Sequence, residues 1–171
     1  MVFSIGRAAS TGLGMTVDLE VKRAYVETLL FFVDQGRAPH FTELSTILGV
    51  GVERALELQR AAAEAGIGSW FLSDTDFVEC WAPFSSIPTN HLISIDGEQR
   101  WYGQCGLEAL AATWVVPDRD VRVDSFCLDC GDTVTVMQRN GELLDVDPVA
   151  AVGHMNKPLS SAEWDERASF L

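Results

Sequence analysis

The sequence is short of basic residues, of histidine and of long apolar runs. Its 171 residues contain 12 lysines and arginines against 25 aspartates and glutamates, which gives a formal net charge of −13 at pH 7. Binding to a phosphate backbone requires clustered Lys and Arg side chains, and anionic membrane surfaces attract the same groups. The composition therefore predicts that neither nucleic acid nor a membrane is a partner.

Targeting signals and a disulfide framework are also missing. No apolar run is long enough to span a bilayer, and the N-terminus lacks the basic and apolar regions of a secretory signal. Four cysteines in a chain of this length then indicate reduced thiols in a cytosol. We expect a cytoplasmic protein with an ordinary globular core, since 47% of the residues are hydrophobic.

The N-terminal half has helical periodicity after a flexible lead-in predicted for residues 1–15. A first helix is predicted over residues 16–35, with Thr16 as its cap and Gly36 at its end. Helices over residues 41–48 and 52–65, separated by glycines, form a helix-turn-helix pattern.

A hairpin predicted over residues 67–72 and 77–81 would complete a winged-helix-like region spanning residues 16–80. The helix at 52–65 carries nearly balanced charges, from Glu53, Arg54, Glu57, Arg60 and Glu64. That is not the basic face that enters a DNA groove. A helical unit packed on the rest of the chain is the preferred interpretation, and an acidic module that binds a protein partner is the alternative.

Residues 81–171 are predicted to form an α+β domain with a mixed sheet. Residues 83–89 are predicted as a loop, and alternating polarity predicts strands over residues 90–96, 99–103, 121–127, 133–138 and 143–146. Asp96-Gly97 and Asn140-Gly141 are hairpin turn signals. Helices are expected from Cys105 to about Trp114 and over residues 162–170.

Cys105 and Glu108 are the candidate catalytic residues. Good helix formers begin at Leu107, so Cys105 is predicted at or just before a helix N-terminus, where the helix dipole would favour its thiolate. Positions three apart share a helix face, which would place the carboxylate beside the thiol. The alternative is a small buried Cys with a solvated Glu at the helix start.

The remaining thiols divide into a pair and a single residue. Cys127 and Cys130 form a Cys-x-x-Cys unit before Gly131, a spacing that suits one soft metal ion or a redox disulfide. A structural role for both is the alternative, and Cys105 is a third candidate metal ligand. Cys80 is predicted to fill the core. The three histidines, His40, His91 and His154, are scattered and none is singled out as a ligand.

The segment from Trp101 to Leu110 resembles the catalytic Cys-x-x-Asp segment of the organomercurial (alkylmercury) lyases. The stretches over residues 83–97, 121–131 and 160–164 resemble, in the same order, the strand before that segment, the strand after it and a late helical motif. The resemblance implies the fold of that family and protonolytic cleavage of carbon–mercury bonds. Cys105 would bind mercury and Glu108, in place of the family's Asp, would deliver the proton.

The resemblance fails at the family's second, later catalytic Cys, because residues 147–154 contain no thiol. The expected partner is a small organometallic or other thiol-reactive substrate, and no cofactor is required. A non-lyase relative is the alternative: it would bind a soft ion (Hg, Cu or Zn) or a small molecule through Cys105, with or without Cys127 and Cys130.

Overall fold

The computed structural model describes residues 18–66 and 68–153. Three helices come first: α1 (Leu19–Gln35), α2 (Phe41–Leu48) and α3 (Val52–Ala65). They are followed by strands β1 (Ser69–Phe71), β2 (Val78–Trp81), β3 (Phe84–Ser85), β4 (His91–Ile95) and β5 (Glu98–Gly103). Helix α4 (Gly106–Ala111) continues into a 3-10 turn, and strands β6 (Val121–Phe126), β7 (Thr133–Arg139) and β8 (Glu142–Asp147) complete the described chain.

The eight strands form one sheet in the order β1-β2-β3-β5-β4-β6-β7-β8. Every described pair is antiparallel. Two-residue turns at Asp96-Gly97 and Asn140-Gly141, all with positive φ, join consecutive strands as predicted. The α+β class is confirmed. The predicted mixed sheet is not: the described sheet is antiparallel throughout, because each strand runs opposite to the neighbours with which it pairs.

The helix boundaries follow local capping chemistry. Helix α1 begins after Asp18, whose carboxylate accepts a hydrogen bond from the Glu20 amide at 3.1 Å. It therefore starts later than predicted, and Thr16 lies outside the described residues. Helix α2 has a reciprocal cap, in which the His40 ring accepts from the Thr42 amide and Glu43 accepts from the His40 amide. Helices α2 and α3 have their predicted bounds.

Two indoles attach the helices to the sheet. Trp81 of β2 donates to the Tyr25 carbonyl at 3.2 Å, and Trp101 of β5 donates to the Phe32 carbonyl at 2.9 Å. The Phe32 ring also stacks on Phe84 of β3, with 5.4 Å between ring centroids. One core is therefore shared between α1 and the strands that lead to Cys105.

The predicted hairpin is confirmed as β1 paired with β2, and Cys80, a residue of β2, is buried as expected. The segment 83–89 was predicted as a loop, and it contains the short strand β3, which pairs with both β2 and β5. The helix predicted at 162–170 lies outside the described residues. The division into regions at residues 80 and 81 stays a prediction, and β2 runs across it. Within the described ranges, no helix combines the length and the apolar character needed to cross a bilayer.

Candidate active site around Cys105

Cys105 is the N-cap residue of α4, at the end of β5. Its backbone is extended, with φ −146° and ψ 175°, and its Sγ accepts a hydrogen bond from the Glu108 amide at 3.4 Å. The helix therefore begins immediately after the thiol, as predicted. With 7% of its surface exposed, Cys105 is shielded from bulk water.

Burial controls the protonation of this pair. Loss of hydration raises the pKa of the half-buried Glu108 carboxyl above its ordinary value. Burial also raises the pKa of the Cys105 thiol, and this outweighs the amides of Glu108 and Leu107, which lower it. The amides at the helix N-terminus favour the thiolate, as predicted, but burial has the larger effect and the net result is a raised pKa of the thiol. Burial thus shifts the pKa of both groups in the same direction, toward the protonated forms.

A histidine covers the start of α4. A β-carbon placed on Gly106 would lie 3.4 Å from Cε1 of His91, so the imidazole rests against the residue that follows Cys105. His91 Nδ1 lies 2.7 Å from the Ser125 hydroxyl on β6. Burial lowers the pKa of His91, which favours the neutral imidazole beside the thiol segment.

Gln104, which directly precedes Cys105, lies against Gly68, the residue before β1. Its side chain is 4% exposed, and neither its amide nitrogen nor its amide oxygen has a hydrogen-bond partner among the described residues. A β-carbon on Gly68, which has φ +75°, would lie 2.9 Å from the Gln104 oxygen. The close approach of these two residues therefore depends on glycine at position 68.

Helix α1 contributes Tyr25 to the same neighbourhood. Burial raises the pKa of the Tyr25 phenol, the Ser69 hydroxyl lowers it, and the charge of Glu108 raises it further. The Tyr25 phenol and the Glu108 carboxyl group therefore interact electrostatically. Tyr25 also stacks against Trp81, with 5.1 Å between ring centroids, which fixes its position.

Cys127 and Cys130 lie apart from this pair, in the turn between β6 and β7. Cys127 is partly exposed and Cys130 is exposed, whereas Cys105 is buried. Across residues 18–66 and 68–153, no three His, Cys, Asp or Glu side chains are grouped so as to hold a metal ion. The structure therefore brings Cys105 together with Glu108, and does not bring the three thiols together into one three-ligand site.

Sequence reasoning did not assign a role at the site to Tyr25, Gln104 or His91. His91 lies in the strand predicted over residues 90–96, and Tyr25 lies in a helix more than seventy residues before Cys105. No short spacing links these residues to the thiol. His40 caps α2, and His154 lies outside the described residues.

Comparison with protein families gives a match to the alkylmercury lyase model over residues 84–170. This chain belongs to the alkylmercury lyase family. The matched segment contains Cys105, Glu108, Cys127 and Cys130, whereas helices α1 to α3 precede it. The family resemblance found in the sequence is thus confirmed.

A solved structure supports the fold of this alkylmercury lyase homologue. The mercury-bound form of MerB2 superposes with a TM-score of 0.54 and 21% sequence identity, over 77% of this chain and 69% of that one. At this identity the likeness establishes the fold alone. The search of curated proteins finds no match.

Proposed function

We propose that this protein cleaves carbon–mercury bonds by protonolysis, with Cys105 as the mercury ligand and Glu108 as the proton donor. The observation that supports the proposal is the 3.4 Å contact from the Glu108 amide to Cys105 Sγ. It holds the buried thiol against the first turn of α4, the turn that carries the half-buried Glu108. A metal bound at the sulfur would therefore have an acid beside it.

The substrate would enter as an organomercury thiolate. The Cys105 thiol displaces the external thiol, which leaves with the Cys105 proton, and a bond forms between Sγ and mercury. Glu108 then transfers its proton to the carbon, so that the carbon–mercury bond breaks, a carbon–hydrogen bond forms and the hydrocarbon leaves. The Glu108 carboxylate takes the vacated position on mercury, and two external thiols finally remove Hg(II) and restore both protons.

The protonation states of the free site suit this sequence. A raised pKa keeps the Glu108 carboxyl protonated to a higher pH, so the proton is available when the substrate arrives. The neutral Cys105 thiol supplies the proton that the leaving thiolate needs. The carboxylate also offers mercury a second ligand in a chain that has no thiol over residues 147–154.

Turnover of a simple arylmercury compound with excess monothiol tests the proposal. Hydrocarbon release is followed by gas chromatography for the native chain, Cys105→Ser and Glu108→Gln. Glu98→Gln is the matched control, because Glu98 is an exposed carboxylate on β5. We expect release from the native chain and the control, and a loss of about 100-fold or more in Glu108→Gln, the range of a missing general acid.

The pattern of binding and release distinguishes the alternatives. Mercury retained by Glu108→Gln without hydrocarbon release would assign the proton to Glu108. Binding by the native chain without any release would reject the lyase proposal. Less mercury bound by Cys105→Ser than by the native chain would then favour a relative that binds a soft metal through Cys105. Undiminished release by Cys105→Ser would reject the assignment of the thiol.

A further inference from the structure

The turn between β6 and β7 carries two thiols that the proposed reaction does not use. The Cys127 amide donates to the Asp132 carbonyl at 2.8 Å, and the Gly131 amide donates to the Cys127 carbonyl at 2.9 Å. Gly131 has φ +76°, a conformation that suits glycine and allows this tight return. The backbone between the two cysteines is therefore closed by hydrogen bonds at both ends.

The two side chains of this turn converge on each other. The side chains of Cys127 and Cys130 interact with each other, and the backbone amides of Asp129 and Cys130 interact with Cys127. Both residues reach the surface, and no disulfide joins them. Two thiols three positions apart in one closed surface turn are the arrangement that one thiophilic ion can bridge.

The base of the turn is anchored on both sides. Phe126 at the end of β6 pairs with Thr133 at the start of β7. The Asn90 side chain donates to the Phe126 carbonyl at 2.7 Å and accepts from the Phe126 amide at 3.2 Å. This clamp fixes the strand end that precedes Cys127, so binding an ion would require little ordering of the backbone.

We infer that Cys127 and Cys130 form a two-thiolate site for one soft, two-coordinate cation, of which Hg(II) is the probe. Thiolate sulfur is the ligand that soft ions prefer. Since no three candidate ligands are grouped within residues 18–66 and 68–153, a two-coordinate ion fits better than one that needs four ligands. The acidic neighbours Asp129 and Asp132 add negative potential that attracts a cation.

Binding at this site is a ligand exchange without redox change. Each thiol forms a bond to the metal and releases one proton to the buffer, and the two external ligands leave with the electron pairs that held the metal. Because both sulfurs belong to one turn, the second bond forms within the molecule, at an effective concentration of roughly millimolar or higher. The pair should therefore hold mercury against a free monothiol.

The test removes the proposed lyase site first. Reduced Cys105→Ser protein of residues 1–171 is mixed with mercuric chloride in a monothiol buffer and desalted. Bound mercury is measured by elemental analysis, together with the ultraviolet absorbance of the mercury–thiolate bonds. The same measurements are made after adding Cys127→Ser or Cys130→Ser to this background. The matched control adds Leu128→Ala, because Leu128 is an exposed residue of the same turn that carries no thiol.

We expect Cys105→Ser and the Leu128→Ala control to retain one mercury ion per chain, and each further Cys→Ser change to lower retention at least about tenfold through loss of the intramolecular second bond. Alkylation of Cys127 and Cys130, located by peptide mass mapping, should be blocked by mercury in Cys105→Ser itself. Unblocked alkylation, or retention that survives loss of either thiol, would overturn the inference. Since Cys105 is absent throughout, the result is separate from that of the lyase assay.

Discussion

At the scale of single residues, burial of Glu108 links its protonation to folding. The folded protein holds this proton more tightly than the unfolded chain, whose carboxyl titrates near the ordinary value of 4.5. The stability from this group is therefore present below that value and is lost as pH rises through the higher pKa of the folded protein. Once the Glu108 carboxyl group has lost its proton, its burial therefore lowers the stability of the folded protein.

Replacing Glu108 by Gln should remove this loss. We expect the free energy of unfolding of Glu108→Gln, relative to the native chain, to increase as pH rises from about 4 to about 8. Urea titrations of both proteins at several pH values measure the difference, in which the contribution of His91 is common to both. A difference that stays constant with pH would mean that the carboxyl is not buried in solution.

Gln104 allows a second test at this scale. A buried amide without partners costs about 1–3 kcal/mol of desolvation. Gln104→Met keeps the length of the side chain and removes that cost, so we expect the variant to be more stable by about 1 kcal/mol in urea titrations. Gln35→Met, on the exposed end of α1, is the control and should change stability by less than about 0.5 kcal/mol. Destabilisation of Gln104→Met would indicate that the amide has a partner in solution.

At the scale of elements, the contact of α4 with β5 positions the thiol. A β-carbon on Gly103 would lie 2.5 Å from the Ala109 β-carbon and 3.0 Å from its Cα. The neighbour is helix backbone, which cannot move without displacing the turn that joins Cys105 to Glu108. Glycine at position 103 is therefore required by close packing.

Gly103→Ala should destabilise the protein by about 1–3 kcal/mol through overpacking. Gly153→Ala is the matched control, because nothing lies within 4 Å of a β-carbon at that position. Thermal unfolding compares the two variants, and hydrocarbon release shows whether the displaced helix also lowers turnover. Equal stability of the two variants would contradict the close packing of α4 on β5.

The elements show what the sequence could and could not predict. Helices α2 and α3 and both Asp-Gly and Asn-Gly hairpins were predictable, because glycines and turn residues mark their ends locally. Strand β3 was missed, since its two residues pair with β2 and β5 and have no pattern of their own. The spacing of Cys105 and Glu108 predicted their contact, but the raised pKa of the thiol depends on burial by distant elements.

At the scale of the whole molecule, excess negative charge opposes folding. The net charge is −13, and folding brings these negative charges closer together, which increases the repulsion between them. Salt screens this repulsion over a Debye length of about 10 Å at 0.1 M. The ion pairs seen at the surface are mostly exposed, as for Arg37 with Glu43 and Arg54 with Glu20, and such pairs contribute little.

We therefore expect the unfolding temperature to rise as sodium chloride increases from about 0.01 to about 0.2 M. Thermal unfolding monitored by circular dichroism measures the change. Asp145→Lys, an exposed position on β8, makes the net charge less negative by two and should reduce the salt dependence. A melting temperature that falls with salt would show that the surface ion pairs outweigh the general repulsion.

The hydrogen bond between Glu108 and Cys105 spans three residues, so a folding chain can form it within one turn of helix. Helix α4 also packs on β4 and β6, and these contacts form only after the longer stretches of chain between the elements have closed into loops. We therefore expect the Cys105 thiol to contact Glu108 before the rest of the fold buries it. During synthesis and refolding, Cys105 is then exposed to any thiophilic compound in the medium. This exposure ends when the sheet packs on α4.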